Sequence, residues 1–190
     1  MKFSLRDAAE AAALSLVSAS LFTGFFQVNA LIFSHLEFSQ GVNWLFLPAG
    51  FRVLLVLTMG LPGCLGIFLG NLFLDQDHLW HGHTSITLMT AAISGFTPWL
   101  VMKAMIKLHL LNEHLQDLTH QQLLQFTLLY AVANAVLHQW LWSINPEHLH
   151  NVWVEIWPMF IGDALGALIV IYAFKGLLNL INLPSTGRSL

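Results

Sequence analysis

The sequence is poor in charged residues and has almost no cysteine. Charged side chains make up 9% of its 190 residues, whereas a soluble domain has about 25%. The single cysteine, Cys64, excludes an intramolecular disulfide and a thiolate metal cluster. The few basic residues form no tract, which excludes a nucleic-acid partner. Because 56% of the residues are hydrophobic, the composition predicts an integral membrane protein in contact with the lipid bilayer.

Long apolar stretches predict an all-α fold in a single integral-membrane domain over 1–190. Six helices of about 20 residues would use about 120 residues, so the connections must be short. Pro62 and the glycines beside it indicate a tight turn between the second and third helices, because proline does not continue a helix. The expected architecture is a polytopic transmembrane helix bundle of about six spans, at 11–33, 43–60, 61–75, 85–107, 121–143 and 153–181.

The distribution of basic residues predicts the orientation of this bundle. Cytoplasmic connections carry an excess of Lys and Arg, and the connections at 34–42, 76–84 and 144–152 contain neither. Tryptophans concentrate near these connections, as in an aromatic belt at the outer interface. We therefore expect a bacterial inner-membrane protein with both termini in the cytoplasm. The basic residues predicted on the cytoplasmic side are Lys2, Arg6, Lys103, Lys107, Lys175 and Arg188.

Two ionisable residues fall inside predicted spans, Arg52 in the second and Asp163 in the sixth. A charge at the centre of a membrane is costly unless it is paired, so each is a candidate functional residue. Counting from the outer ends of their spans places both at a depth of about 14–15 Å. The pattern predicts an intramembrane pair that either fixes helix register or binds a ligand. Asn134 and His138 lie on a polar stripe of the fifth span and are expected to share this interior.

Ten histidines are many for a chain of this length, and a run at 75–83 combines three of them with two aspartates. Imidazoles and carboxylates without thiolates suit Zn²⁺, Ni²⁺ or Cu²⁺. A proton-sensing cluster is a second use of the same side chains, because histidine titrates near neutrality. Simple solvation in a loop is a third explanation. The residues of this candidate divalent-metal site are Asp75, Asp77, His78, His81 and His83.

Catalysis has little support in the sequence. Ser94 and His138 invite comparison with rhomboid-like intramembrane proteases, which also have six spans. However, Ala92 stands where those proteases have glycine, and the sixth span has no histidine. Ser94 and His138 are also expected at depths that differ by about 6 Å. With neither an H-E-x-x-H motif nor a phosphate-binding glycine loop, we expect no enzymatic activity.

Short motifs in three spans provide a further indication. The second span begins Asn43-Trp44-x-x-x-Pro48-Ala49-Gly50-Phe51-Arg52, the third contains Pro62-Gly63-x-x-Gly66-x-x-x-Gly70-Asn71, and the sixth contains Gly162-Asp163-x-x-Gly166. Small residues at four-residue spacing let helix backbones approach closely in lipid, so we expect Gly162 and Gly166 to hold Asp163 against a neighbouring helix.

These motifs, over about half of the chain, resemble MASE1, a bacterial membrane sensory domain that often precedes histidine kinase or diguanylate cyclase domains. MASE1 domains usually have more than six spans. The resemblance implies a sensor of a small ligand or ion. Because the sequence ends without an output domain, it also implies signalling through a protein partner. The positions to which it assigns a role are Pro48, Gly50, Arg52 and Asp163.

Two other classes of protein fit the chain. Substrate-binding components of energy-coupling-factor transporters are similar in length and number of spans, and they open an outward cavity for a vitamin or a metal. Alanines at 8, 9, 12 and 13 match the small-residue pattern with which their first helix docks a partner. The other class is a scaffold subunit of a membrane complex, or a homo-oligomer, in which the polar residues serve only to pack helices.

Overall fold

The computed structural model describes residues 4–39, 41–112, 118–145 and 151–181, without the side chains of 178–181. The described chain is helical almost throughout, which confirms the predicted fold class. A two-stranded antiparallel hairpin is the exception. The elements are α1 (Leu5–Phe33), a 3-10 turn (Ser34–Leu36), β1 (Glu37–Ser39), β2 (Val42–Asn43), α2 (Pro48–Met59), α3 (Leu61–Leu74), α4 (Gln76–Trp80), α5 (Thr84–Lys107), α6 (His120–Ser143) and α7 (Val152–Ile181).

Local capping sets several of these boundaries. The Ser4 side chain accepts a hydrogen bond from the Asp7 N–H, and the Asp7 carboxylate accepts one from the Ser4 N–H. This capping box starts α1 six residues before the predicted span at 11. Thr119 and Gln122 form the same arrangement at the start of α6. Gly60, with a φ of 60°, separates α2 from α3 at the predicted turn.

In the part of the chain that the structure describes, three helices are long and apolar enough to cross a membrane. They lie at Leu5–Leu36, Thr84–Lys107 and Val152–Leu177. The helices α2 and α3 are apolar but have only 12 and 14 residues. Helix α6 is as long as α5 but carries more polar side chains. Length and composition therefore identify three of the six predicted spans.

The six longer helices form a closed ring in the order α1, α3, α5, α6, α7 and α2. Helices α1 and α3 run parallel, because the Ser18 hydroxyl donates to the Gly63 carbonyl at 2.8 Å while Gly70 packs on Phe22. Helices α6 and α7 are antiparallel, since Lys175 lies against His120 at one end. We call this the basic end, and we call the opposite end, which carries the described histidines from 35 to 83, the histidine-rich end.

Residues 43–47 are not helical, although the sequence predicted a span starting at 43. This non-helical segment lies between α1 and α7, and specific groups satisfy its backbone. The Leu47 N–H donates to Asn29 Oδ1 at 2.9 Å, and the Phe46 N–H donates to the Gly162 carbonyl at 3.1 Å. Apolar side chains at 44–47 suit a helix equally well, so the pattern did not mark the break.

Gly162 and Gly166 face this non-helical segment. A Cβ at Gly162 would overlap the carbonyl oxygen of Asn43, and one at Gly166 would overlap that of Phe46. The expectation that both glycines pack on a neighbouring helix is therefore wrong. Because these two glycines have no side chain, the non-helical segment can pack directly against the backbone of α7. This contact positions the start of α2.

Replacing the buried Asn29 by leucine is expected to lower the free energy of unfolding by about 1–3 kcal/mol, because the half-buried Leu47 N–H would lose its acceptor. Thermal or denaturant unfolding in mild detergent measures this loss. The control is Ser20→Ala, since the Ser20 hydroxyl bonds only within α1 at an exposed position. Equal effects of the two substitutions would contradict the role given to Asn29.

Candidate ligand-binding cavity

A polar cavity of about 880 Å³ opens at the histidine-rich end and reaches into the bundle. Its volume lies within the range of small-molecule sites, which is about 300–1,000 Å³. The walls come from α1, the non-helical segment and helices α2 to α7. Of the four residues expected in a polar interior, Arg52, His138 and Asp163 line this cavity, whereas Asn134 is not among its lining residues. The buried polar or charged side chains that line it are Asn29, Arg52, Asn71, Thr87, Ser94, His138 and Asp163.

Arg52 projects from α2 and is only 4% exposed. Its guanidinium carbon lies 5.3 Å from the centre of the Phe22 ring and 5.2 Å from that of Phe46, within the range of cation–π contact. One terminal nitrogen, Nη1, donates to the Tyr130 hydroxyl at 3.4 Å. Its Nε is buried without a hydrogen-bond partner in the described chain. Arg52 is therefore held by aromatic rings while much of its donor capacity is unused.

Asp163 lies on α7 and is 2% exposed. Its Oδ2 accepts a hydrogen bond of 2.6 Å from the side-chain amide of Asn134, as expected for the polar stripe of α6. The described hydrogen bonds of Arg52 and Asp163 thus go to Tyr130 and Asn134, not to each other. The two opposite charges line the same cavity without direct hydrogen bonding.

His138 connects α6 to α5 beneath the cavity. Its Nδ1 lies 2.9 Å from the carbonyl oxygen of Asn134, and its Nε2 lies 3.2 Å from the Ser94 hydroxyl. Donation by Nδ1–H to the carbonyl leaves Nε2 to accept from Ser94. The two side chains bond although residue counts from the helix ends predicted a difference of about 6 Å in depth, because α5 and α6 do not end at a common level. Such bonds are common between helices in lipid.

Pro48 and Gly50 do not line the cavity but position Arg52. Pro48 opens α2 at the position where a missing N–H is harmless. Gly50 packs on α7, where a Cβ would overlap Val170 and lie 2.9 Å from the Gly166 carbonyl. The two motif residues therefore fix where α2 starts and how closely it approaches α7.

The mouth of the cavity carries the candidate metal ligands. Among them, the His78 and His83 rings lie 6.0 Å apart, and His81 Nδ1 bonds to the Asp77 carbonyl oxygen. Within the described residues, no group of three His, Cys, Asp or Glu side chains could hold a metal ion. The structure therefore gathers Asp75, Asp77, His78, His81 and His83 at one opening without forming a coordination site. His114, Glu147, His148 and His150 lie outside the described residues.

Electrostatics at this mouth are governed by carboxylates. Glu37 and Asp77 line it together with Asp75. Partial burial raises the pKa of Asp75, and the nearby His78 partly offsets this effect. The carboxylates oppose the entry of a net anion, because like charges at the mouth of a low-dielectric cavity repel it.

The sequence did not single out Tyr130 or Phe22 as neighbours of Arg52. Aromatic residues are ordinary in apolar helices, so neither carries a signal of its own. Comparisons of the chain with protein-family models, curated proteins and solved structures found no match. The resemblance to MASE1 therefore stays a prediction from the motifs.

Proposed function

We propose that the chain is an integral membrane sensory module that binds a small polar ligand in this cavity and signals through a protein partner or a second copy. The observation that carries the proposal is the pair of buried charges, Arg52 and Asp163, which face one cavity without bonding to each other. Buried charges are costly unless they are compensated. Two opposite buried charges that do not bond to each other therefore favour a ligand bound between them.

The proposal includes six membrane crossings. The 12 residues of α2 rise about 18 Å, and the non-helical residues 43–47 lengthen this path towards the hydrocarbon thickness of about 30 Å. Irregular backbone at membrane depth is tolerated where it lines a cavity, and transporters often place their binding sites at such broken helices.

Surface composition supports this arrangement and its orientation. Large apolar side chains such as Leu16, Leu31 and Ile169 are well exposed on the outside of the ring, as lipid contact requires. Arg6, Lys103, Lys107 and Lys175 lie at the basic end, which the proposal places in the cytoplasm of a bacterial cell. Lys2 and Arg188 lie outside the described residues. The cavity then opens away from the cytoplasm.

The main alternative is the substrate-binding component of an uptake transporter, which would use the same cavity. Stable co-purification with an ATPase module favours that alternative over a sensor. A scaffold subunit would use the same polar residues for packing only, and its cavity would bind no small molecule.

Native mass spectrometry of protein extracted in mild detergent tests the proposal. We expect the wild-type chain to carry a small molecule, directly or after incubation with a cell extract, and Arg52→Gln to lose it. The matched control is Arg6→Gln, which changes the same side chain at the basic end and should keep the ligand. Thermal unfolding shows whether each variant is folded. A chain that binds no small molecule under these conditions would contradict the proposal, and elemental analysis of the same samples tests for a divalent metal.

A further inference from the structure

From the unpaired atoms of the cavity we infer that its ligand is a small zwitterion of the α-amino-acid class, with its carboxylate at Arg52 and its ammonium group at Asp163. This inference rests on the proposed function and adds the chemical class of the ligand. It depends on two complementary observations: Arg52 on α2 has N–H donors without acceptors, and Asp163 on α7 has a carboxylate oxygen without a donor.

The donors belong to Arg52. A guanidinium has five N–H groups in a planar fork that matches a carboxylate. The described structure uses one terminal nitrogen, in a bond to Tyr130 whose 3.4 Å length is beyond the usual range. Nε is buried without a partner, and the nearby rings of Phe22 and Phe46 offer no hydrogen-bond acceptor of ordinary strength. A carboxylate is the group that satisfies this set of donors best.

The acceptor is the Asp163 carboxylate, which lines the cavity. Asn134 donates to Asp163 Oδ2, and no hydrogen bond in the described chain reaches Oδ1. An ammonium group brings three donors and a positive charge, so it compensates the Asp163 carboxylate.

Charge balance selects a zwitterion over a simple anion or cation. An anion bound at Arg52 would leave Asp163 without a counter-charge, and a cation bound at Asp163 would leave Arg52 without one. A zwitterion compensates both and adds no net charge to the interior. The carboxylates of Glu37, Asp75 and Asp77 at the mouth further disfavour a net anion.

The size of the cavity is consistent with an amino acid. Its 880 Å³ leaves room for a side chain beside the two charged groups. The walls of the cavity include Ile86, Trp142 and Met159, which are apolar or amphipathic and suit a side chain of that character.

The experiment uses the full chain in mild detergent and an equimolar mixture of the twenty protein amino acids. Native mass spectrometry identifies the amino acid that binds, and calorimetry compares it with two analogues of the same skeleton, one without the amino group and one without the carboxylate. We expect each analogue to bind at least about tenfold more weakly, because each leaves one buried charge unpaired. Arg52→Gln should remove the advantage over the amine analogue, and Asp163→Asn the advantage over the carboxylate analogue.

If a variant does not fold, the affinities of the wild-type chain for the amino acid and its two analogues still test the inference. Absence of binding by all twenty amino acids would overturn the inference, as would equal affinity of either analogue. In those cases the ligand-binding function still stands if a cell extract supplies another small molecule that Arg52→Gln loses. If nothing from the extract binds, the proposed function fails as well.

Discussion

Replacing Gly162 by alanine is expected to lower the free energy of unfolding by about 3 kcal/mol or more. The new Cβ would overlap the Asn43 carbonyl oxygen. The non-helical segment would have to move away, and the hydrogen bond from the Phe46 N–H to the Gly162 carbonyl would weaken. Because backbone carries this clash, no side-chain rotation relieves it. Unfolding by heat or denaturant in mild detergent measures the loss.

The matched control lies on the same helix. Gly176 has nothing within 4 Å of the position its Cβ would take, so Gly176→Ala is expected to be neutral or to stabilise the helix by up to about 1 kcal/mol. A Gly162→Ala variant as stable as Gly176→Ala would show that residues 43–47 do not pack on α7 as described.

Replacing Asp163 by leucine is expected to cost about 3–5 kcal/mol, because it removes the partner of Asn134 and leaves Arg52 as an uncompensated buried charge. The double variant Arg52→Leu/Asp163→Leu should be more stable than the sum of the single losses predicts. We expect a coupling free energy of about 1–3 kcal/mol, since the second substitution removes the charge that the first left unpaired. Chemical denaturation of all four proteins without added ligand measures this coupling.

A double-mutant cycle of Lys103→Leu and Asp163→Leu provides the control for this charge coupling. Lys103 lies near the basic end, where it contacts the Trp99 ring. Lys103→Leu and Asp163→Leu should therefore be additive within about 0.5 kcal/mol. If the Arg52 and Asp163 substitutions were additive as well, the two charges would not interact. That result would contradict the charge pair on which the proposed binding site is based.

The sequence by itself determined the all-α fold and the limits of most helices. Sparse charge and long apolar runs predict membrane helices, because each residue contributes to hydropathy independently of its neighbours in space. Residues that cap or end a helix, such as Thr119 and Gly60, act on neighbours within a few residues. The sequence therefore predicts them as well. The rise of a helix predicted that Arg52 and Asp163 lie at one depth, and the structure places both at one cavity, although residues 43–47 in that count are not helical.

Only the tertiary structure decided where the predicted second span is not helical and how the charges are partnered. The apolar side chains at 44–47 suit either a helix or an extended chain, and the choice depends on Asn29 and Gly162, which lie far away in sequence. Counting residues also misplaced Ser94 relative to His138, because helices in a bundle do not end at a common level. The Tyr130 hydroxyl on α6 meets Arg52 on α2 only in the folded bundle, and no local pattern encodes a contact between residues 78 positions apart.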